Sequence, residues 1–275
     1  MISLCTAFIE GMEEYLPILL ESILNRTKLV SEVVVSMNDQ PADYYEETVA
    51  DRGVVIKKIG WPHAHKRTAF DPGNQHALGL HNAIERSTRD HLLFCDLDVF
   101  FYSAAEEVYL RLMEKHNLQA CGCSSHAAVQ IATTFFPWHG QVLVKRADLP
   151  DQDFLKGKIW MTCGDGDSEG KPCKTRFDGK YLQMFAIEGL TEMFPNPEGG
   201  FDTASYLWLW AHQQQWRWFA FQTIDCHHYT TRYSRNNCKI IEKLPAQDLI
   251  YHRVSGGILD IAPFTEAYAL SKEDE

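Results

Sequence analysis

Two aspartates one residue apart stand inside an apolar stretch of this 275-residue chain, "HLLFCDLDVFF" at 91–101. Ionised carboxylates are costly beside a core unless something pairs with them. Asp96 and Asp98 occupy alternating positions, so at a strand end they can share one divalent cation through hard oxygen ligands. Such an ion offsets their mutual repulsion and can in turn hold a diphosphate. The competing reading is a pair of turn aspartates capping a helix that starts near Ser103. Capping needs one acid, whereas here two are flanked by Leu-Leu-Phe-Cys and Val-Phe-Phe.

Other residues carry possible chemistry further along. Asp202, in "NPEGGFDTASYLWLW", stands just before a helical pattern and suits an N-cap. Gly199 and Gly200 before it allow close backbone approach. His227 and His228 in "DCHHYTTRYS" and His252 in "IYHRVSGG" each end an apolar strand and precede small or polar residues. Arg232 and Arg235 follow the first pair and can neutralise anionic charge. Asp165 and Asp167 fall in "IWMTCGDGDSEG". Trp208, Trp210, Trp216 and Trp218 crowd one region, read mostly as core, while Trp61 and Trp138 sit in loop-like contexts where a ring can stack on a sugar.

The elements that must position these residues are legible from periodicity. "ISLCTAFIE" reads as a buried strand and "EEYLPILLESILNRT" as a helix with Leu16, Leu19, Leu20, Ile23 and Leu24 on one face. "SEVVVSMND" and "ADRGVVIKKIGW" read as strands, and "NQHALGLHNAIERST" as a helix with Leu78, Ala83 and Ile84 inward. "HLLFCDLDVFF" is then the fourth strand. Strands alternating with helices imply an α/β fold with a doubly wound, mainly parallel sheet. Ligands in such sheets sit at the C-terminal ends of the strands, where the aspartates lie. Beyond them come a helix ("AAEEVYLRLMEKHN"), a short strand ("LQACGCSSH") and a strand pair ("ATTFFPWHGQVLVKRADL"). A surface loop at 151–180, a helix ("FDTASYLWLWAHQQQ") and a strand ("WRWFAFQTIDCHHY") follow, and the tail "SKEDE" is expected to fray. The chain reads as a single domain, with a nucleotide-type half at 1–110 and a mixed half at 111–275.

Composition excludes some partners. The net charge is −11, so a nucleic-acid backbone is not expected as a partner. Eight cysteines without a CxxC pair read as reduced thiols, which points to the cytoplasm and away from a zinc site. No signal peptide and no membrane-spanning run is recognised in the sequence.

The strand order, with "MISLCTAFIEGMEEYLPILLESIL", "EVVVSMND" and "HLLFCDLDVFF" in succession, resembles the nucleotide-sugar half of glycosyltransferases of the type A fold. The resemblance covers residues 1–110 and recurs weakly at 195–257. It implies Mn2+ or Mg2+ as cofactor, with Asp98 a direct ligand and Asp96 on the metal or the ribose. It implies Thr6, Phe8 and Glu10 at the base and ribose pocket, and Asp39 at the nucleotide base. Lys66 or Arg67 would meet phosphate; Asp71 or Asn74 would meet ribose or sugar. In inverting members a carboxylate at a helix start is the general base, which falls on Asp202 with Glu198 in reserve. The usual Glu-Asp pair is here Phe201-Asp202. A late histidine often completes the metal site, for which His227, His228 and His252 compete. The implied partners are a nucleotide-sugar donor, UDP-linked, and a glycan acceptor.

Two rivals stand beside it. A phosphatase of the haloacid dehalogenase type also uses Asp-x-Asp at a strand end, and "GDGD" echoes its later motif. Against it, Phe100 replaces the expected Thr or Val, and three strands precede the aspartates. A non-catalytic nucleotide- or sugar-binding module would keep Asp96 and Asp98 and need no Asp202.

Overall fold

A run of seven residues buried on both faces, β1 (Ile2–Phe8), sets the centre of the sheet. Beside it lie the β-branched strands β2 (Val30–Asn38) and then β4 (Val54–Trp61) on one side and the apolar β5 (His91–Cys95) on the other. The computed structural model describes residues 1–8, 12–38, 43–61, 72–124, 141–149, 207, 210–211, 213–223, 227–253 and 261–273, with backbone alone for 38, 61, 72–78 and 223. Within these, eleven strands form one sheet. To those named it adds β3 (Tyr44–Val49), β6 (Val99–Phe101), β7 (Ala120–Ser124), β8 (Gln141–Lys145), β9 (Trp218–Thr223), β10 (His228–Asn236) and β11 (Asp248–His252). The order is β3-β4-β2-β1-β5-β8-β7-β9-β10-β11-β6.

The α/β class and mixed sheet follow the sequence reading. Strands β4, β2, β1 and β5 are mutually parallel, as is β7 with β9. The remaining neighbours are antiparallel, so the mainly parallel character belongs to the first half.

Helices cover both faces. In α1 (Tyr15–Arg26), Leu16, Leu19 and Ile23 are buried, and Pro17 sits in the first turn where no intrahelical N–H is needed. These residues join Ile2, Leu4 and Phe8 in the main core, together with residues of α3 (Ala105–His116) and α4 (Ala262–Glu273). On the other side, α2 (Pro72–Arg86) packs on β1 and β2 and buries Leu80, Ala83 and Ile84. Leu78, expected inward with them, has no described side chain.

Four expectations need correction. "HLLFCDLDVFF" is two strands: β5 ends at Cys95, and β6 pairs with β11 instead. "WRWFAFQTIDCHHY" likewise divides between β9 and β10. The edge strand β3 escaped notice because it is solvent-exposed almost throughout and so shows no apolar alternation. The tail does not fray at Ser271, because buried Arg26 donates to the Ser271 carbonyl (2.9 Å) and hydroxyl (3.0 Å) and holds α4 down. The loop at 151–180, the first strand of the 132–149 pair and most of the helix after Asp202 lie outside the described residues. Among those described, no helix is long and apolar enough to cross a membrane.

Candidate metal and active site

The Asp-Leu-Asp turn lies where the chain leaves β5 and enters β6. Leu97, 2% exposed, anchors it to the core and turns the flanking aspartates outward from it. β6 then pairs antiparallel with β11, with His252 opposite Val99, Tyr251 opposite Phe100 and Ile250 opposite Phe101. The Arg253 N–H donates to the Asp98 carbonyl (2.9 Å) and extends that ladder into the turn. This register brings an imidazole to the two carboxylates. His252 Nε2 is 3.3 Å from Asp96 Oδ2 and 3.4 Å from Asp98 Oδ1. One ligand atom from each of the three lies within 4.8 Å of the others. Asp98 is 6% exposed and His252 4%, while Asp96 is half-buried.

The electrostatics describe a hole for a cation. Burial alone would lower the His252 pKa; the Asp98 charge, followed by hydrogen bonds to Asp96 and Asp98, outweighs it and pushes the ring up to about 10. In the absence of a metal, the imidazole therefore carries a proton at neutral pH and supplies the missing positive charge. Two carboxylate oxygens with one imidazole nitrogen form a donor set for a divalent cation. Octahedral ligands at about 2.1 Å from an ion stand about 3 Å apart, close to the spacings seen. The residues fit the ion. The capping alternative fails, since α3 begins only at Ala105 and its N-cap is Ala104.

Supporting groups surround the three. His227 holds the His252 main chain twice: its carbonyl accepts the His252 N–H (3.0 Å), and its ring Nδ1 lies 3.1 Å from the His252 carbonyl. The Tyr251 ring stacks on Phe100 at 5.1 Å. Behind the turn, the Cys95 thiol donates to the Asp96 carbonyl (3.3 Å) and accepts from the Gln141 amide (3.7 Å). Tyr109 donates to the same amide's oxygen (3.1 Å). Burial pushes Cys95 well above its ordinary pKa, so it remains a thiol and is no nucleophile. Gly122 is required beside this layer, because a Cβ there would collide with the main chain of Gln141.

The sequence reading overlooked Arg253. It is 8% exposed, and its guanidinium donates to the Tyr15 hydroxyl (3.4 Å). No carboxylate among the described residues pairs with it, which is unusual for a buried guanidinium. The signal was present in "IYHRVSGG", where a cation directly follows the histidine.

Several expected residues fall elsewhere. His228 is not in the cluster; its register opposite Tyr251 puts its ring among aromatics, 4.5 Å from Tyr102. Thr6 is fully buried, with no hydrogen-bond partner for its hydroxyl, and Phe8 is 4% exposed within the core. Arg232 and Arg235 are exposed on β10. Trp216 is buried, and Trp210 donates to the Asp148 carbonyl (3.1 Å). Glu10, Asp39, Lys66, Arg67, Asp71, Trp138, Asp165, Asp167, Glu198, Gly199, Gly200, Phe201 and Asp202 lie outside the described residues, and Asn74 has backbone only.

No protein-family model matches the chain. No curated protein matches it in sequence. Among solved structures it resembles S. aureus TarS 1–349 in complex with UDP-GlcNAc, with TM-score 0.37 and 14% identity over 56% of this chain and 47% of that one. Mouse xyloside xylosyltransferase 1 in its apo form gives TM-score 0.37 and 10% identity over 78% and 82% of the two chains. The galactosyltransferase LgtC with donor and acceptor sugar analogs gives 0.32 and 11% over 67% and 64%. The chain spans about half the length of the TarS fragment, 49% for its ligand-free form. These likenesses concern the fold; what the site does is argued from its residues.

Proposed function

We propose that this protein is a metal-dependent glycosyltransferase that moves a sugar from a nucleotide-diphosphate donor, UDP-linked, to a hydroxyl of a glycan acceptor with inversion. The observation that carries the reading is the convergence of Asp96, Asp98 and His252 at the end of β5. When bound there, Mn2+ or Mg2+ supplies Lewis-acid charge to a departing diphosphate. Asp98, Asp96 and the neutral imidazole of His252 would hold the ion. Arg253, buried next to His252 in the chain and with no carboxylate partner among the described residues, provides a guanidinium for a phosphate oxygen, with Tyr15 orienting it. Asp202 is the proposed base on the acceptor hydroxyl. Thr6, Phe8, Glu10, Asp39, Lys66, Arg67 and Asp71 remain the proposed donor contacts.

The cluster argues against phosphoaspartate chemistry. That chemistry needs the first aspartate as nucleophile and the second as acid, whereas here both carboxylates lie against the one His252 imidazole, at 3.3 and 3.4 Å.

Release of nucleoside diphosphate from a panel of nucleotide sugars, measured with Mn2+ and then with chelator, tests the reading. One donor should be turned over, and chelation should stop it. Asp202→Asn should keep donor binding and lose transfer. Turnover of phosphate monoesters without binding of any nucleotide sugar would overturn the proposal.

A further inference from the structure

β10 runs on to Asn236, with Ser234–Asn236 paired to β9, and residues 237–247 return outside the strands to β11. At the base of this hairpin the Thr231 N–H donates to the Gln247 carbonyl (3.0 Å), and the Gln247 N–H donates to the Thr231 hydroxyl (3.0 Å). At its tip Asn236 closes the turn. Its side-chain oxygen accepts from the N–H groups of Cys238 (3.2 Å) and Ile240 (2.9 Å), and its amide donates to the Ile240 carbonyl (3.0 Å). Lys239 takes a left-handed φ of 57° there.

The returning limb alternates strictly. Cys238, Ile240 and Leu244 pack against the core, and Glu242 turns inward to Lys115 (2.8 Å) and His116 (2.9 Å). Lys239, Ile241 and Lys243 alternate with these in sequence and are all exposed, Lys239 in the turn and the other two beyond it. Ile241 is 92% exposed, and Tyr233 on the outgoing limb is 52% exposed between Arg232 and Arg235, themselves exposed. A chain of net charge −11 thus gathers Arg232, Arg235, Lys239 and Lys243 on one hairpin, whose only acid in that span, Glu242, is already paired.

We propose that this hairpin docks the protein on the surface of membranes that contain anionic lipid. Exposed lysines two residues either side of an exposed isoleucine match the layered chemistry of a bilayer surface, with phosphates for the cations and acyl boundary for the isoleucine. A soluble polyanion would use the cations and gain nothing from Ile241. A protein partner calls for a broader apolar patch than one isoleucine and one tyrosine supply. The inference is independent of the glycosyltransferase reading, since its test needs no turnover.

The test is co-sedimentation of the full chain with vesicles of phosphatidylcholine alone and of phosphatidylcholine with phosphatidylglycerol. Binding is expected on the second only, weakening as salt rises. Ile241→Asp should lower the partition coefficient roughly tenfold. The pair Lys239→Asn and Lys243→Gln should lower it by a similar factor, asparagine being tolerant of the left-handed φ. Thermal unfolding should be unchanged in both variants, because the altered side chains are exposed. Equal binding to both vesicle types, no binding to either, or indifference to Ile241→Asp overturns the proposal. So does binding of inorganic polyphosphate with no preference for vesicles, which would make the hairpin a polyanion site.

Discussion

Two buried charge constellations sit at opposite ends of the same strands, and they are built differently. At the start of β1, β2 and β5, Glu32 pairs with Lys57 (2.6 Å) and accepts hydrogen bonds from Ser3, the Thr88 N–H (2.7 Å) and the Thr88 hydroxyl (3.0 Å). Lys57 also donates to the Arg86 carbonyl (3.3 Å). Burial raises the Glu32 pKa, but Lys57, Ser3 and Thr88 outweigh it and hold the carboxyl below its ordinary value. One negative charge meets one positive charge, and the remaining lone pairs are used. At the far end of β5, Asp96 and Asp98 share a single imidazole, which must itself be protonated to help them. The first constellation is complete and ties three strands and a helix end together. The second sets two carboxylates against one imidazole with their ligand atoms within 4.8 Å of one another, a donor set that a divalent cation can use.

The contrast can be broken experimentally, and the largest effect belongs to the complete network. Lys57→Met leaves a buried carboxylate alone and should cost about 3–5 kcal/mol in equilibrium denaturation, with much of it recovered when Glu32→Leu is added. A loss near zero would mean that the network does not hold the fold. Next, Asp98→Asn should weaken Mn2+ binding in calorimetry by more than the roughly 10–100-fold typical of an outer partner, with far less effect on metal-free stability than Lys57→Met.

The pH dependence of metal-free protein sharpens the same point. The folded His252 pKa, about 10, lies above its ordinary 6.5. Its stabilisation is therefore fully present below 6.5 and lost as pH rises through about 10. Thermal midpoints of chelated protein should fall over that window by more than those of His252→Gln, and saturating Mn2+ should remove the difference. Glu32 behaves oppositely, its contribution being present above 4.5 and lost as pH falls. The smallest effects separate the neighbouring histidines. His227→Phe keeps the stack on Tyr251 but loses the hold on the His252 carbonyl, and should weaken Mn2+ about tenfold. His228→Phe should leave Mn2+ affinity within about twofold.

What could be read from the chain followed the range of the interactions involved. β1, β2, β4 and α1 are specified by periodic apolar residues within a dozen positions, and the structure has them where the pattern puts them. Asp96 and Asp98 stood out because paired carboxylates in an apolar run require an external explanation, and the strand order located them. β3 carries no such pattern, since both its faces are wet. The turn after Cys95 was hidden because either continuation, straight or redirected, buries Val99, Phe100 and Phe101 equally well.

The choice among the histidines was not local at all. His227, His228 and His252 look alike in sequence, each at a strand end. Pairing of β6 with β11, across about 150 residues of chain, sets His252 against the aspartates and His228 against Tyr102. The same register puts the Arg253 N–H on the Asp98 carbonyl, and the Arg253 side chain is buried against Tyr15. Sequence alone determined that two carboxylates sit at the end of a parallel strand and need a cation. Tertiary structure decided which imidazole joins them and which guanidinium waits nearby, because strand register is a property of the closed sheet and is written in no single segment.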